Sequence, residues 1–316
     1  MVRHASMPSG FLKRVARLVH VAAGPLVGIA FLALACWGMY RMLGAASPRD
    51  IVAALLALPP SRTVPAVALT VASYFVFTLY DRLSLRWLGL SMPWRRSAPG
   101  TAMAYALGNA SFNALVVGGG CRYYAWRGDG LQPAQAAQMA VFASVGFWFG
   151  YVSLGGLLFA IDPLRPSTRL AGLLILLIPL YLLLSWRMPS LRIARWRMKL
   201  PPPRLCMAQI GVGTLDMLCI SGVLWLLLPP AVAPGYSHFL QAFMLAMVAG
   251  SASQAPGGLG VFDSAFMLLT PGAPEQLLAA LLAFRFIYFG APLAAAALVL
   301  ALRQARQWRR KGIGPG

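Results

Sequence analysis

Long apolar stretches alternate with short basic ones along this chain. Residues 19–40, 134–161 and 170–186 carry no charge. Residues 205–228 are interrupted only by Asp216, and residues 277–302 only by Arg285. Residues 64–80 are also uncharged but shorter. A helix needs about 20 apolar residues to cross the hydrocarbon core, so these stretches predict membrane-spanning helices. Residues 102–117 form a further apolar run. Residues 239–250 and 261–270 are each too short to cross, and they flank the segment 251–263, which reads SASQAPGGLGVFD. A proline, three glycines and an aspartate break what would otherwise be one span.

Composition agrees with this pattern. The chain is 59% hydrophobic and 11% charged, with a mean hydropathy of +0.70, which is outside the soluble range. No polar connection is long enough for a sizeable soluble domain. Arg3, Lys13, Arg14 and Arg17 precede the first run as in a signal peptide. That run is too long for a signal core and lacks a small-residue cleavage site, so it reads as a retained first span. The expected fold class is all-α: one polytopic integral membrane domain over residues 19–302, between basic tails at 1–18 and 303–316.

Four segments carry 19 of the 27 basic residues: 1–18, 81–100, 187–204 and 303–316. The positive-inside bias places all four, and both termini, on the cytoplasmic side. The net charge of +20 also favours anionic lipid head groups. Dispersal of the basic residues over short loops argues against a nucleic-acid partner. Counting crossings then exposes a conflict. Segments 1–18 and 81–100 are separated by two spans, as they should be. From 100 to 187 there are three apolar runs. From 204 to 303 there are again three crossings if the two short runs make one. An odd number cannot return the chain to its starting side. One arrangement resolves both intervals: a re-entrant hairpin entering from outside with its tip at 251–263, and a second entering from inside at 102–117, or else at 134–161. The alternative is a misplaced span boundary. With the hairpins, about 6–8 spans accompany two oppositely directed re-entrant elements, an arrangement that recurs at midplane transport sites.

The first anomalous segment reads GNASFNALVVGGGCRYYAWRGDG over residues 108–130. Asn109 and Asn113 are spaced to share a helix face. Arg122 and Arg127 follow a glycine cluster, and an arginine beside a glycine-rich turn suits a phosphate; an arginine reaching to the interface is the other reading. Asp81 and Arg82 close the second apolar run. Asp216 lies about 16 Å into its span by helix rise, and Asp263 just follows the second break. Ionisable residues at such depth are expensive. Either Asp216 or Asp263 pairs with Arg285 to fix packing, or these residues line a polar cavity for a charged head group or for protons. Candidate binding residues are Asp81, Arg82, Asn109, Asn113, Arg122, Asp216, Gln254, Gly257, Gly258, Asp263 and Arg285.

Cys36, Cys121, Cys206 and Cys219 lack paired metal or redox spacing. His4, His20 and His238 have no partner at ligand spacing. Nucleotide-binding and hydrolase motifs are absent. No cofactor, metal or catalytic role is expected.

Three stretches, FTLYDRLSLRWLG at 77–89, GNASFNALVVGGGCRYYAWRGDGL at 108–131 and APGGLGVFD at 255–263, resemble the membrane domain of the lysylphosphatidylglycerol synthetase/flippase family, the multiple peptide resistance factors, and the stand-alone proteins built on that domain. The resemblance runs over roughly residues 10–305. It implies a lipid translocator in the bacterial inner membrane whose substrate is an anionic or aminoacylated phospholipid. In that family a C-terminal synthase domain makes the lipid. The sequence carries no such domain, so a separate synthase is the implied partner. Asp263 stands where that family usually has Glu.

Overall fold

The computed structural model describes residues 56–310 other than 112, 163–165, 189, 194–195, 231–234 and 254–255, together with residues 49, 52 and 53. The expected first span at 19–40, the tail at 1–18 and Gln254 lie outside the described residues.

Helix α1 spans Pro60–Trp87, α2 Trp94–Asn109, α3 Ala114–Trp126 and α4 Pro133–Ile161. A 3-10 stretch over Pro166–Leu176 leads into α5, Leu177–Arg187. Helix α6 spans Pro203–Leu227, α7 Tyr236–Ala252, α8 Val261–Leu269 and α9 Pro274–Phe284. A π turn at Arg285–Gly290 joins α9 to α10, Ala291–Arg310. Helices α1, α4, α6 and α9 all begin on a proline at or near the first position. Proline lacks only an N–H that would be unpaired there, and its fixed φ suits a helix start. Helix α1 is closed off beyond Trp87 by Gly89, whose φ of 69° lets the Leu90 amide turn back to the Leu85 carbonyl at 2.9 Å.

Among the described residues, five helical segments are long and apolar enough to cross a bilayer: Pro60–Trp87, Pro133–Ile161, Arg169–Arg187, Pro203–Leu227 and Glu275–Leu302. The chain is a polytopic helical membrane protein. One departure from all-helical structure is a two-stranded antiparallel hairpin, β1 (Ser190–Ile193) with β2 (Trp196–Lys199), in register Ser190↔Lys199. It occupies the basic connection 187–204.

The centre is built from α1, α4 and α6. Helices α4 and α6 cross with almost no side chain between them. A Cβ on Gly150 would lie 2.1 Å from the Gly213 carbonyl carbon, and one on Gly213 would lie 2.1 Å from the Gly146 oxygen. Small residues four apart permit such close helix approach in lipid. Gly146 also makes room for Tyr80, whose Cε1 lies 2.6 Å from where a Cβ would stand.

Two helical hairpins fill the intervals where the crossing count failed. Helix α2 packs on α3, and α7 packs on α8. Neither pair contains a helix in the spanning set. The first break lies at residues 110–113, between α2 and α3. The sequence suggested a turn at the glycine cluster instead. Gly118, Gly119 and Gly120 are helical within α3, and Gly119 packs beside Ala140 of α4. Residues 134–161 form one continuous helix, which removes the alternative placement of this hairpin. The second break includes Pro256–Gly258, ahead of α8, as the Pro-Gly-Gly stretch predicts. Gly257, Gly258 and Gly260 have φ of 58°, 64° and 81°, conformations that a Cβ disfavours. The hairpin α7–α8 is wedged by stacked and edge-on aromatic rings, among them Phe239, Phe243, Phe262, Phe266 and Phe284.

Candidate functional site

The two hairpin tips meet. A Cβ on Gly257 would lie 3.3 Å from the Asn109 carbonyl oxygen. Beside this contact is a cavity of about 370 Å³. Its wall is drawn from both tips (Asn109, Ser111, Asn113, Gly257, Gly258) and from the helices behind them (Tyr80, Tyr105, Arg122, Ser144, Asp216, Tyr288). Asn109 and Asn113 do not share a helix face. Asn109 is the last residue of α2 and Asn113 caps α3, accepting from the Val116 amide at 3.1 Å. Both nevertheless line the cavity.

Five charged side chains are buried among the described residues: Asp81, Arg122, Asp216, Asp263 and Arg285. Four of them form two ion pairs. Arg122 donates from Nε to Asp81 Oδ1 at 2.9 Å, with Nη2 2.8 Å from the same oxygen. Thr101 donates to the other Asp81 oxygen at 2.8 Å. Asp81 is therefore not the interfacial end of a span, since α1 continues to Trp87 around it. Arg122 sits on a helix against a carboxylate, and not at a glycine turn. Arg82, one residue on, is exposed and is not part of the cavity wall.

The second pair is bidentate. Arg285 Nη2 donates to Asp263 Oδ2 at 2.9 Å and Nε to Oδ1 at 3.3 Å. Arg285 Nη1 also donates to the Gly257 carbonyl, and the Gly260 amide donates to Asp263 Oδ2 at 3.0 Å. The guanidinium lies between the Phe262 and Phe289 rings. Charge and fork geometry thus hold the glycine tip. Asp263 and Arg285 stand behind the cavity wall. Of the two sequence alternatives for Arg285, Asp263 is the partner and Asp216 is not.

Among the described residues, Asp216 has no cationic partner. It lies in α6, 3% exposed, and accepts only from Ser73 and Tyr80, both at 3.4 Å. Ser73 also bonds the Tyr288 hydroxyl at 2.8 Å. Tyr80 stacks toward Tyr105, which lies under Arg122. These hydroxyls were not singled out from the sequence. A signal existed: Ser73, Phe77, Tyr80 and Ser84 recur on one face of α1, mixing hydroxyls into an otherwise apolar span.

The comparisons bear on this arrangement. No family model matches the chain. The chain is 33% identical over 276 residues to an uncharacterized protein, slr0712, of Synechocystis sp., covering 83% of this chain and 86% of that protein. The chain belongs to the slr0712 family. It is also homologous to the inner membrane protein YbhN of Escherichia coli, 26% identical over 266 residues, which are 78% of this chain and 82% of YbhN. Neither name states an activity. In this member of the slr0712 family, the sequence-predicted residues Asn109, Asn113, Arg122, Asp216, Gly257 and Gly258 converge on one cavity, with Asp81, Asp263 and Arg285 supporting its walls and Arg82 apart from it.

Proposed function

We propose that this protein moves a phospholipid between the leaflets of a bacterial cytoplasmic membrane, with both termini on the cytoplasmic side. The observation that carries the reading is the cavity between two broken helical hairpins, where Asn109, Asn113, Arg122 and Asp216 open among largely apolar walls. Its volume of about 370 Å³ is at the lower end of ligand-pocket sizes. That is room for a head group but not for two acyl chains, so the tails stay in lipid while the head group passes. Arg122 supplies a phosphate contact. Its side chain lines the cavity, with Nη2 buried and held against Asp81 by charge. Asn109 and Asn113 add amide donors. Asp216 receives an ammonium. An aminoacylated phosphatidylglycerol carries both charges, in agreement with the motif resemblance, and a separate synthase would supply it. The chain's role is transport and not catalysis.

The test is translocation in liposomes that contain the purified full chain and acyl-labelled phosphatidylglycerol, lysyl-phosphatidylglycerol or phosphatidylethanolamine. A membrane-impermeant quencher reports the protected inner-leaflet fraction. Loss of protection for the aminoacylated lipid, diminished by Asp216→Asn, supports the reading. The control is placed at Asp216 because Asp263 lies behind the wall. If every lipid stays protected, the translocator reading is wrong, and a lipid-binding partner of a separate synthase takes its place.

A further inference from the structure

The buried charges do not cancel. Asp81 balances Arg122 and Asp263 balances Arg285, so among the described residues Asp216 leaves the centre of a strongly basic chain with one uncompensated negative charge. An unpaired carboxylate inside a membrane protein is too costly to stay charged, and none of the described groups facing it can carry a positive charge. They are Tyr74 and Tyr80 from α1, Tyr105 from α2, Tyr288 from the π turn and Cys219 from its own helix, with the Ser73 hydroxyl. None is a lysine, arginine or histidine. Arg122 opens on the same cavity but is already neutralised by Asp81.

We propose that Asp216 is a proton-binding site that exchanges its proton for the cationic head group of the cargo, so that lipid movement is driven by protons flowing the other way. A proton neutralises the carboxylate when the cavity is empty. The ammonium of the cargo neutralises it when the cavity is filled. One occupant must leave before the other arrives, which is the condition for exchange. A lysyl-phosphatidylglycerol head group has two ammoniums and one phosphate, a net charge of one. Its exchange for one proton moves no net charge across the membrane. Protons run from the acidic side to the alkaline side, so lipid collects on the acidic side. The coupling rests on the translocation reading above; proton binding at Asp216 does not.

The full chain is placed in vesicles with acyl-labelled lysyl-phosphatidylglycerol. At equal pH on both sides, quencher protection reads translocation alone. Then a gradient of one pH unit is imposed. The expected steady state is an enrichment of up to about tenfold on the acidic side, unchanged when the membrane potential is clamped. Lipid that moves at equal pH but ignores the gradient overturns the exchange and leaves translocation standing. If no lipid moves at all, translocation fails, and proton binding is read directly by infrared difference spectroscopy. A protonated-carboxyl band should be present in the wild type at neutral pH, absent in Asp216→Asn, and lost when the cationic lipid is added. No such band, or one displaced by replacing choline with sodium, overturns the proton site.

Discussion

Each of the buried arginines has a different task, and single substitutions separate them. Arg285→Ala strips Asp263 of its bidentate partner and frees the Gly257 carbonyl. Leaving a buried carboxylate unpaired costs about 3–5 kcal/mol, visible as a large drop in thermal stability in detergent. Arg285→Lys keeps the charge but not the fork, so it should fall between wild type and alanine; a lysine variant as stable as wild type would refute the fork argument. Arg122→Ala is not a clean test of substrate contact, because it strands Asp81. The pair Asp81→Asn with Arg122→Gln keeps the site neutral. That double variant should be more stable than either single one while still losing transport. Additive losses would show that the two residues do not act as a pair.

The helices and their breaks explain why some elements were legible in the sequence and others were not. The spans follow from apolar length, and the second tip follows from glycines that must take positive φ. Gly257→Ala tests that point. Its backbone is left-handed, at about 1–2 kcal/mol for an L side chain, and its Cβ would press on the Asn109 carbonyl. Transport should fall more than stability does. Near-normal transport would show that the tip contact is dispensable. The first hairpin was found only by parity. Its glycine cluster misled because glycine marks a turn and a close helix contact equally well, and only the neighbours decide. Gly119 faces α4, a fact of packing that spacing alone does not carry. Partner choice was hidden for the same reason. Sequence spacing leaves Asp263 and Asp216 as equal candidates for Arg285, and only the fold sets Arg285 against Asp263. Gly213→Ala checks the central crossing. It drives a methyl into the α4 backbone, and overpacking of this kind costs about 1–3 kcal/mol or more, read as lost thermal stability in detergent. A wild-type melting temperature would mean the helices are not so close.

At the scale of the molecule, the five spans and two tip-to-tip hairpins among the described residues surround the cavity, and the proposed transport would require the tips to part. In a cysteine-free variant carrying Asn109→Cys and Gly257→Cys, the transport that remains in the reduced protein should be abolished on oxidation and return to that reduced level on reduction. Undiminished movement with the crosslink formed would place the route elsewhere. The last span gives this requirement a mechanical form. Its π turn presents Arg285 to the tip carbonyl and, three residues later, Tyr288 to the Ser73 hydroxyl beside Asp216. Both residues ride on one short piece of wide backbone. An occupant of the carboxylate that displaced Tyr288 would therefore pull on the clasp that holds the tip, so the last span would report the filling of the cavity to the tip over a single helical turn.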